Sequence, residues 1–428
     1  MYLNVAENGL IGDGVTNHTQ ALNALSKQLS KTGGTLYFPA GRYVTGTLFL
    51  YSNMTLCLDA GAVLQGSDRF DDFPFIDPNE VKGYTRGGRW GVVSAWQAQN
   101  VRICGGGKID GNGKLWWDSQ KSDYERPRTI NLIQCKDVVI EDITICNSPC
   151  WTIHPMCCEN VSIRSVSIYN PYDSPNTDGI NPESCKNVRI SDCHIDVGDD
   201  CVTIKSGDEQ DLLQKQYACE NIIVTNCTMA HGHGGVVLGS EMSGGIKNVT
   251  VSNCIFQNTD RGIRIKTRRR RGGSIKGVTF SNIIMENVMA CITVNEYYFC
   301  VCGDYPFPKE ELFDPNPRPI DPSTPDISDI RISGILATGV KGVGIYFYGL
   351  PELPVRNVTI SDVRLDVVGN DKGMSAVMAF DRTPSFGEGI FLENASNVDM
   401  SGVYVQCPWE KVVLKNADHI TLNGEHLA

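Results

Sequence analysis

One phrase returns along the chain with small changes: "KDVVIEDITI", "ENVSIRSVSI", "KNVRISDCHI", "ENIIVTNCTM", "KNVTVSNCIF", "KGVTFSNIIM", "SDIRISGILA", "RNVTISDVRL" and "SNVDMSGVYV". The central copies stand mostly about 23 to 34 residues apart, a period that marks repeat architectures. Each copy alternates β-branched with polar residues, as a half-buried strand does, and turn residues fill the gaps. Long helical patterns between the strands are missing, which removes the alternating strand-helix folds. One copy cannot bury its apolar face alone, so the copies must stack. The expectation is an all-β chain, a right-handed parallel β-helix, forming one domain over residues 1–428. Asn160, Asn187, Asn221, Asn248, Asn357 and Asn397 fall at one place in the phrase and are expected to stack as a ladder. Cys193, Cys227 and Cys254 recur in the same way, as small apolar filler.

Two segments leave the repeat. "QALNALSKQLSKTGG" puts Ala21, Leu22, Leu25 and Leu29 on one face and Gly33 at the stop. It predicts an amphipathic helix within about 17–32 that caps the exposed end of the solenoid. "FCVCGDYPFPKEELFDPNPRPIDPSTPD", about 299–326, is rich in proline and acid and reads as a long excursion, and such loops are often functional. No apolar run approaches the roughly 20 residues of a bilayer span, so no membrane partner is expected. The net charge of −11 speaks against nucleic acid and also against an acidic polymer, which makes any local basic cluster worth weighing. The 17 cysteines are scattered and odd in number, which suits reduced thiols better than a disulfide framework. The CxC at Cys300 to Cys302 lacks a second ligand pair at zinc spacing, so no metal is expected there.

When the central strands are laid over one another, "TDGINPES" from Thr177, "DDCVTIKS" from Asp199, "HGGVVLGS" from His233 and "DRGIRIKT" from Asp260 align without gaps. Ile180, Val202, Val236 and Ile263 form one inward column, and Pro182, Ile204, Leu238 and Ile265 a second. Alternation then sends Thr203, Lys205, Arg264 and Lys266 outward. Asp178 lies over Asp200, and Asp199 over His233, in a stack whose strands repeat every 4.8 Å or so. Asp199 and Asp200 both look outward only at a bend, which Gly198 permits. An isolated Asp-Asp pair reads as a solvated turn. A third acid, an imidazole and cations at matching offsets read as a catalytic cluster. Clustered carboxylates raise one another's pKa, so one can donate a proton while the others hold a water, the division of labour in glycoside hydrolysis. The cations suit an anionic group of the substrate, because a guanidinium grips a carboxylate with two bonds.

At these residues the chain resembles the polygalacturonases, glycoside hydrolase family 28, over nearly its whole length. "NTDG", "GDDC", "GHGG" and "RIK" stand in the family's order, and "GDGVTNHTQA" with "GGTLYFPAGRYVTGTL" resembles its usual cap. The resemblance implies inverting hydrolysis of α-linked galacturonic acid without metal or cofactor. By it Asp199 is the general acid, Asp178 and Asp200 hold the water, His233 supports the acid, and Arg264 and Lys266 bind galacturonate. "IKSG" with Lys205, "GSEMSGG" with Glu241, "SPCWTIHP" with Trp151 and His154, and "RIKTRRRRGG" with Arg268 resemble bacterial exo-acting members. An exo mode needs the substrate groove closed at one end, and the loops at 66–92 and 299–326 have the length for it.

Several assignments stay open at this stage. Arg268 to Arg271 form either a solvated charged loop or a reader of substrate carboxylates. His154 and Trp151 either contact substrate or pack in the wall. Trp116 and Trp117 are either a sugar platform or core. Asn176 is expected to hold the turn that presents Asp178, and Glu183 has no evident role. The expected partner is a pectic oligosaccharide, with rhamnogalacturonan or xylogalacturonan as alternative backbones; oligomeric state is not encoded in these patterns. A lyase-type β-helix that eliminates with calcium, or a non-catalytic carbohydrate-binding solenoid, are rivals from other classes. The Asn-X-Ser/Thr sequons "NHT", "NMT", "NVS", "NCT", "NVT" and "NVT" fall mostly in the stacked phrase, where a glycan does not fit, and no basic-then-apolar leader follows Met1. These features suggest a bacterial cytoplasmic enzyme, with secretion as the alternative.

Overall fold

The computed structural model describes residues 1–85, 87–119, 125–300, 307–380 and 384–428. The chain is a parallel β-helix. It packs as two compact units, one of residues 1–200 with 210–217, the other of residues 201–209 with 218–428.

In the first unit the repeat phrases become the strands Lys136–Glu141, Glu159–Arg164 and Lys186–Ser191. They pair in parallel with Val138 opposite Val161 and Val161 opposite Val188, a register that keeps these valines and Ile140, Ile163 and Ile190 on the inner face. In the second unit the column runs Ile222, Val249, Val278, Ile330, Val358, Val398 and Ile420. All seven are buried. At about 1.5–3 kcal/mol for each fully buried aliphatic side chain, these columns hold the coils together.

The asparagine ladder is present in both units. Asn187 donates to Asn160 at 3.0 Å and Asn160 to Asp137 at 2.8 Å; Asn248 donates to Asn221 at 3.0 Å, Asn397 to Asn357 at 2.9 Å and Asn357 to Asp329 at 3.0 Å. The six ladder asparagines have φ between 52 and 60°, the left-handed region, where a short polar side chain is tolerated and a β-branched one is not. The ladder thus marks the corner of each coil. Cys193, Cys227 and Cys254 are buried, and every described cysteine is a free thiol.

A separate four-stranded parallel stack lies in the first unit: Leu48–Leu50, Val93–Trp96, Ile130–Ile133 and Ile153–Met156. Bridges from Ile153 to Ile180 and from Met156 to Glu183 extend it by one more coil. The cap helix spans Thr19–Leu29 and buries Leu22, Ser26 and Leu29. Ser26, rather than the exposed Ala21, completes the buried stripe, because its hydroxyl donates to the Phe49 carbonyl. Gly33 ends the segment at φ 71°, with its N–H on the Leu29 carbonyl at 2.7 Å. Of the 299–326 excursion, residues 301–306 and with them Cys302 lie outside the described residues. The part from 307 onward includes the short helix Lys309–Leu312. Among the described residues no helix is long and apolar enough to cross a membrane.

Candidate active site

The bend read from "VGDDC" is present. One strand ends at Val197, the next begins at Asp200, and Gly198 and Asp199 turn between them. Gly198 is needed for close approach rather than for a special φ. A Cβ there would meet the Ser174 carbonyl at 2.4 Å and the Pro171 carbonyl at 2.6 Å. The segment that crowds it is the "PYDSPNT" turn, closed by Ser174 and Thr177, whose hydroxyls lie 2.6 Å apart. Arg126 fastens the same turn: its guanidinium donates to Asn176 Oδ1 at 2.6 Å and to the Pro175 and Pro149 carbonyls at 2.7 and 2.9 Å. Asn176 sits at φ 56°, so the expected turn-holding role falls to it and Arg126 together.

This packing sets the register that brings the acids together. The Gly179 N–H donates to the Asp200 carbonyl at 3.0 Å, the parallel-strand bond that places Asp178 opposite Asp200. One carboxylate oxygen each from Asp178, Asp199 and Asp200 lies within 4.8 Å of the others. Asp178 and Asp200 are buried at 4% and 1% exposure, and Asp199 is half-buried. Asn181 donates through Nδ2 to Asp178 Oδ2 at 3.0 Å, and the Asp200 N–H donates to Asp199 Oδ1 at 2.9 Å. Three oxygens so placed can hold a water through hydrogen bonds, and they are also hard donors of the kind a divalent cation takes.

On the outward face of the four-stranded stack, Ser94, Asn131 and His154 lie side by side in register. His154 Nε2 is 2.9 Å from Glu183 Oε2, and both side chains are buried. The His154 and Trp151 rings stand nearly perpendicular with centres 4.8 Å apart, and Arg128 Cζ lies over the Trp151 ring, 4.9 Å from its centre. Glu183, for which the sequence suggests no role, is therefore the partner of His154. Loop residues Ile76, Val81, Tyr84 and Trp90 pack against Ile133 and Met156 on the same face. Trp116 is 1% exposed and packs on Phe70 and Phe73, so it belongs to the core, while Trp117 donates to the Ser148 carbonyl at 3.1 Å.

In the second unit Lys205 and Glu241 meet each other at 2.7 Å. His233 is half-buried at a bend between the strands Thr228–His231 and Gly234–Gly239, a local setting like that of Asp199. Val236 opposes Ile263 and Leu238 opposes Ile265, as the aligned columns require. On the strand Arg261–Lys266, Arg264 and Lys266 approach one aromatic ring: Arg264 Cζ is 5.4 Å and Lys266 Nζ 5.0 Å from the centre of Tyr298. Tyr298 was missed in the sequence because it lies in the irregular stretch after "NEY", where no repeat fixes its direction. Arg264 also contacts Met378 Sδ at 3.1 Å. The arginine run is paired with acids throughout: Arg268 with Glu209 at 2.8 Å, Arg269 with Glu352 at 2.6 Å, Arg270 with Glu311, and Arg271 with Glu209 at 3.1 Å and Asp208 at 3.3 Å.

A parallel β-helix with three carboxylates gathered at one bend has the build of an enzyme that cleaves a polysaccharide by acid-base chemistry. The model of glycosyl hydrolases family 28 matches residues 59–383, and a rhamnogalacturonase A/epimerase, pectate lyase-like model matches residues 2–104. A probable polygalacturonase of Vitis vinifera is 34% identical over 379 residues, 85% of this chain and 74% of that protein. An exo-poly-alpha-D-galacturonosidase of Dickeya chrysanthemi is 31% identical over 322 residues, 63% of this chain and 53% of that protein. A hyperthermoactive exopolygalacturonase from Thermotoga maritima has a structure similar to this one, with TM-score 0.76 and 26% identity over 100% of this chain and 93% of that one. The chain belongs to glycoside hydrolase family 28, among the polygalacturonases, and is a glycoside hydrolase.

Proposed function

We propose that this hydrolase removes galacturonate from the end of α-1,4-linked galacturonan in pectic oligosaccharides, with inversion at the anomeric carbon and without a metal. The three-carboxylate cluster in a chain of this family carries the proposal. Asp199 protonates the leaving oxygen, and Asp178 and Asp200 hold and deprotonate the attacking water. His233 supports the acid, and Arg264 and Lys266 take the substrate carboxylate; both assignments rest on the "GHGG" and "RIK" motifs. Lys205, His154, Glu241, Asn176 and Arg268 shape the binding face through the pairings described above. The packing of Trp90 and its loop on Ile133 and Met156 supports the exo mode, since it covers part of the face on which substrate would run.

One observation favours a second reading of the stereochemistry. Two-carboxylate inverting sites place their groups about 6.5–9.5 Å apart and retaining sites about 5–5.5 Å. The oxygens here lie within 4.8 Å, a distance that alone fits retention through a covalent intermediate. Inversion is nevertheless the better account, because with Asp199 as the acid two further carboxylates, Asp178 and Asp200, remain to hold a water that attacks the anomeric carbon from the face opposite the leaving oxygen. Proton NMR of the first sugar released from an oligogalacturonide separates the readings. The expected first product is the β-anomer of galacturonate, formed equally well in chelator. The α-anomer would establish retention, and an unsaturated product would replace hydrolysis by elimination.

A cytoplasmic site of action is part of the same proposal. Its support is that sequon asparagines Asn160, Asn248 and Asn357 use their side-chain amides in the ladder. Fractionation of the native host is expected to leave the activity inside the cells, and activity recovered mainly from the medium would overturn it.

A further inference from the structure

Asn181 lies three residues beyond Asp178 and is fully buried. Its backbone is pinned to the four-stranded stack, with its N–H on the Ile153 carbonyl at 2.8 Å. Its side-chain amide turns back and donates to Asp178 Oδ2 at 3.0 Å. A buried amide costs stability unless it is hydrogen-bonded, so an apolar residue would fill this place at lower cost if filling were the only need. Three carboxylates within 4.8 Å repel one another, and a free Asp178 would lower that repulsion by rotating away. The Nδ2 group can only donate, so it fixes the carboxylate about its Cβ–Cγ bond with Oδ2 as acceptor.

We infer that Asn181 is a positioning residue for the hydrolysis, acting through Asp178, which it holds facing Asp199 and Asp200. The inference rests on the proposed role of Asp178 in holding the attacking water. Its consequence is that Asn181 contributes to turnover and not to substrate affinity, and only while Asp178 is a carboxylate. Because the two side chains touch, their effects on turnover are coupled.

The test is a double-mutant cycle of Asn181→Leu and Asp178→Asn, with kcat and KM measured on an oligogalacturonide and a thermal transition recorded for each protein. Asn181→Leu is expected to lower kcat about ten- to a hundredfold, the range for a lost hydrogen bond to a charged group, with KM changed less than about threefold. In the Asp178→Asn background the same substitution is expected to change the residual kcat less than about twofold. An equal loss in both backgrounds, or a loss carried by KM, would make Asn181 a wall residue and overturn the inference. If turnover by Asp178→Asn falls below detection, the split between kcat and KM in Asn181→Leu alone decides. If Asn181→Leu does not fold, the smaller Asn181→Ala, which also loses the donor and adds no charge, is expected to show the same pattern. The underlying reading fails separately, through an Asp178→Asn enzyme with unchanged kcat.

Discussion

Glu296 is a carboxyl group enclosed on all sides, with one oxygen accepting the Leu350 N–H at 3.1 Å. Loss of water, reinforced by the nearby Glu352 and Asp326 and opposed by Arg269, raises its pKa well above the ordinary 4.5. A carboxyl whose folded pKa is raised contributes stability that is complete below about pH 4.5 and is lost as pH rises toward the folded value, because only the unfolded chain gives up the proton in that window. Glu296→Gln keeps the shape and cannot ionise. Thermal denaturation is expected to show the variant gaining on the wild type as pH rises above 5 or so, by about 1.4 kcal/mol per pH unit inside the window. A difference that stays constant with pH would show that Glu296 is ionised in the fold. At this scale the sequence was uneven in what it revealed. Asp178, Asp199 and Asp200 were legible because the repeat fixes their register. The His154–Glu183 pair and the Asn181–Asp178 bond were not, because each depends on rotamers and on a neighbouring coil, and neither residue type is diagnostic. Gly198 was legible as the residue that permits the bend; what the sequence could not show is how, since its missing Cβ admits the Ser174 and Pro171 carbonyls.

The element that departs furthest from the expectations is the arginine run after the strand Arg261–Lys266. Both sequence readings, a solvated loop and a reader of substrate carboxylates, overlooked that acids from three separate segments of the second unit would meet it. Arg269 is the centre: it makes a two-bond pair with Glu352 at 2.6 and 2.8 Å, both side chains are about 5% exposed, and it lies over the Tyr297 ring. Arg270 and Glu311 are far more exposed, at 38% and 23%. Removing one partner of a buried pair strands the other charge, whereas exposed pairs are worth little. Arg269→Met is therefore expected to cost about 3–5 kcal/mol and Arg270→Met less than about 1 kcal/mol in denaturant titrations. Similar losses in the two variants would contradict the account. The cap helix shows the opposite balance. Its existence and stop were legible from periodicity and Gly33, and only the buried stripe shifted, toward a serine whose hydroxyl found a carbonyl.

At the scale of the whole molecule, the solenoid was legible because its evidence repeats: one ambiguous strand says little, and nine similar phrases leave few architectures. The excursions were not, since loops carry no period, and the packing of Trp90 and its neighbours on Ile133 and Met156 depends on long-range contacts. The repeat also explains why the acids can be crowded. Columns of buried aliphatic residues in every coil hold the backbone in register, so a few repelling groups at one bend are tolerated. The central claim is that this bend is the catalytic centre of an exo-acting galacturonan hydrolase. Chromatography of the products from oligogalacturonides, with wild type and Asp199→Asn side by side, tests it most directly. The account predicts monogalacturonate as the sole early product and a rate at least about a hundredfold lower in the variant. Unchanged release by Asp199→Asn would contradict it.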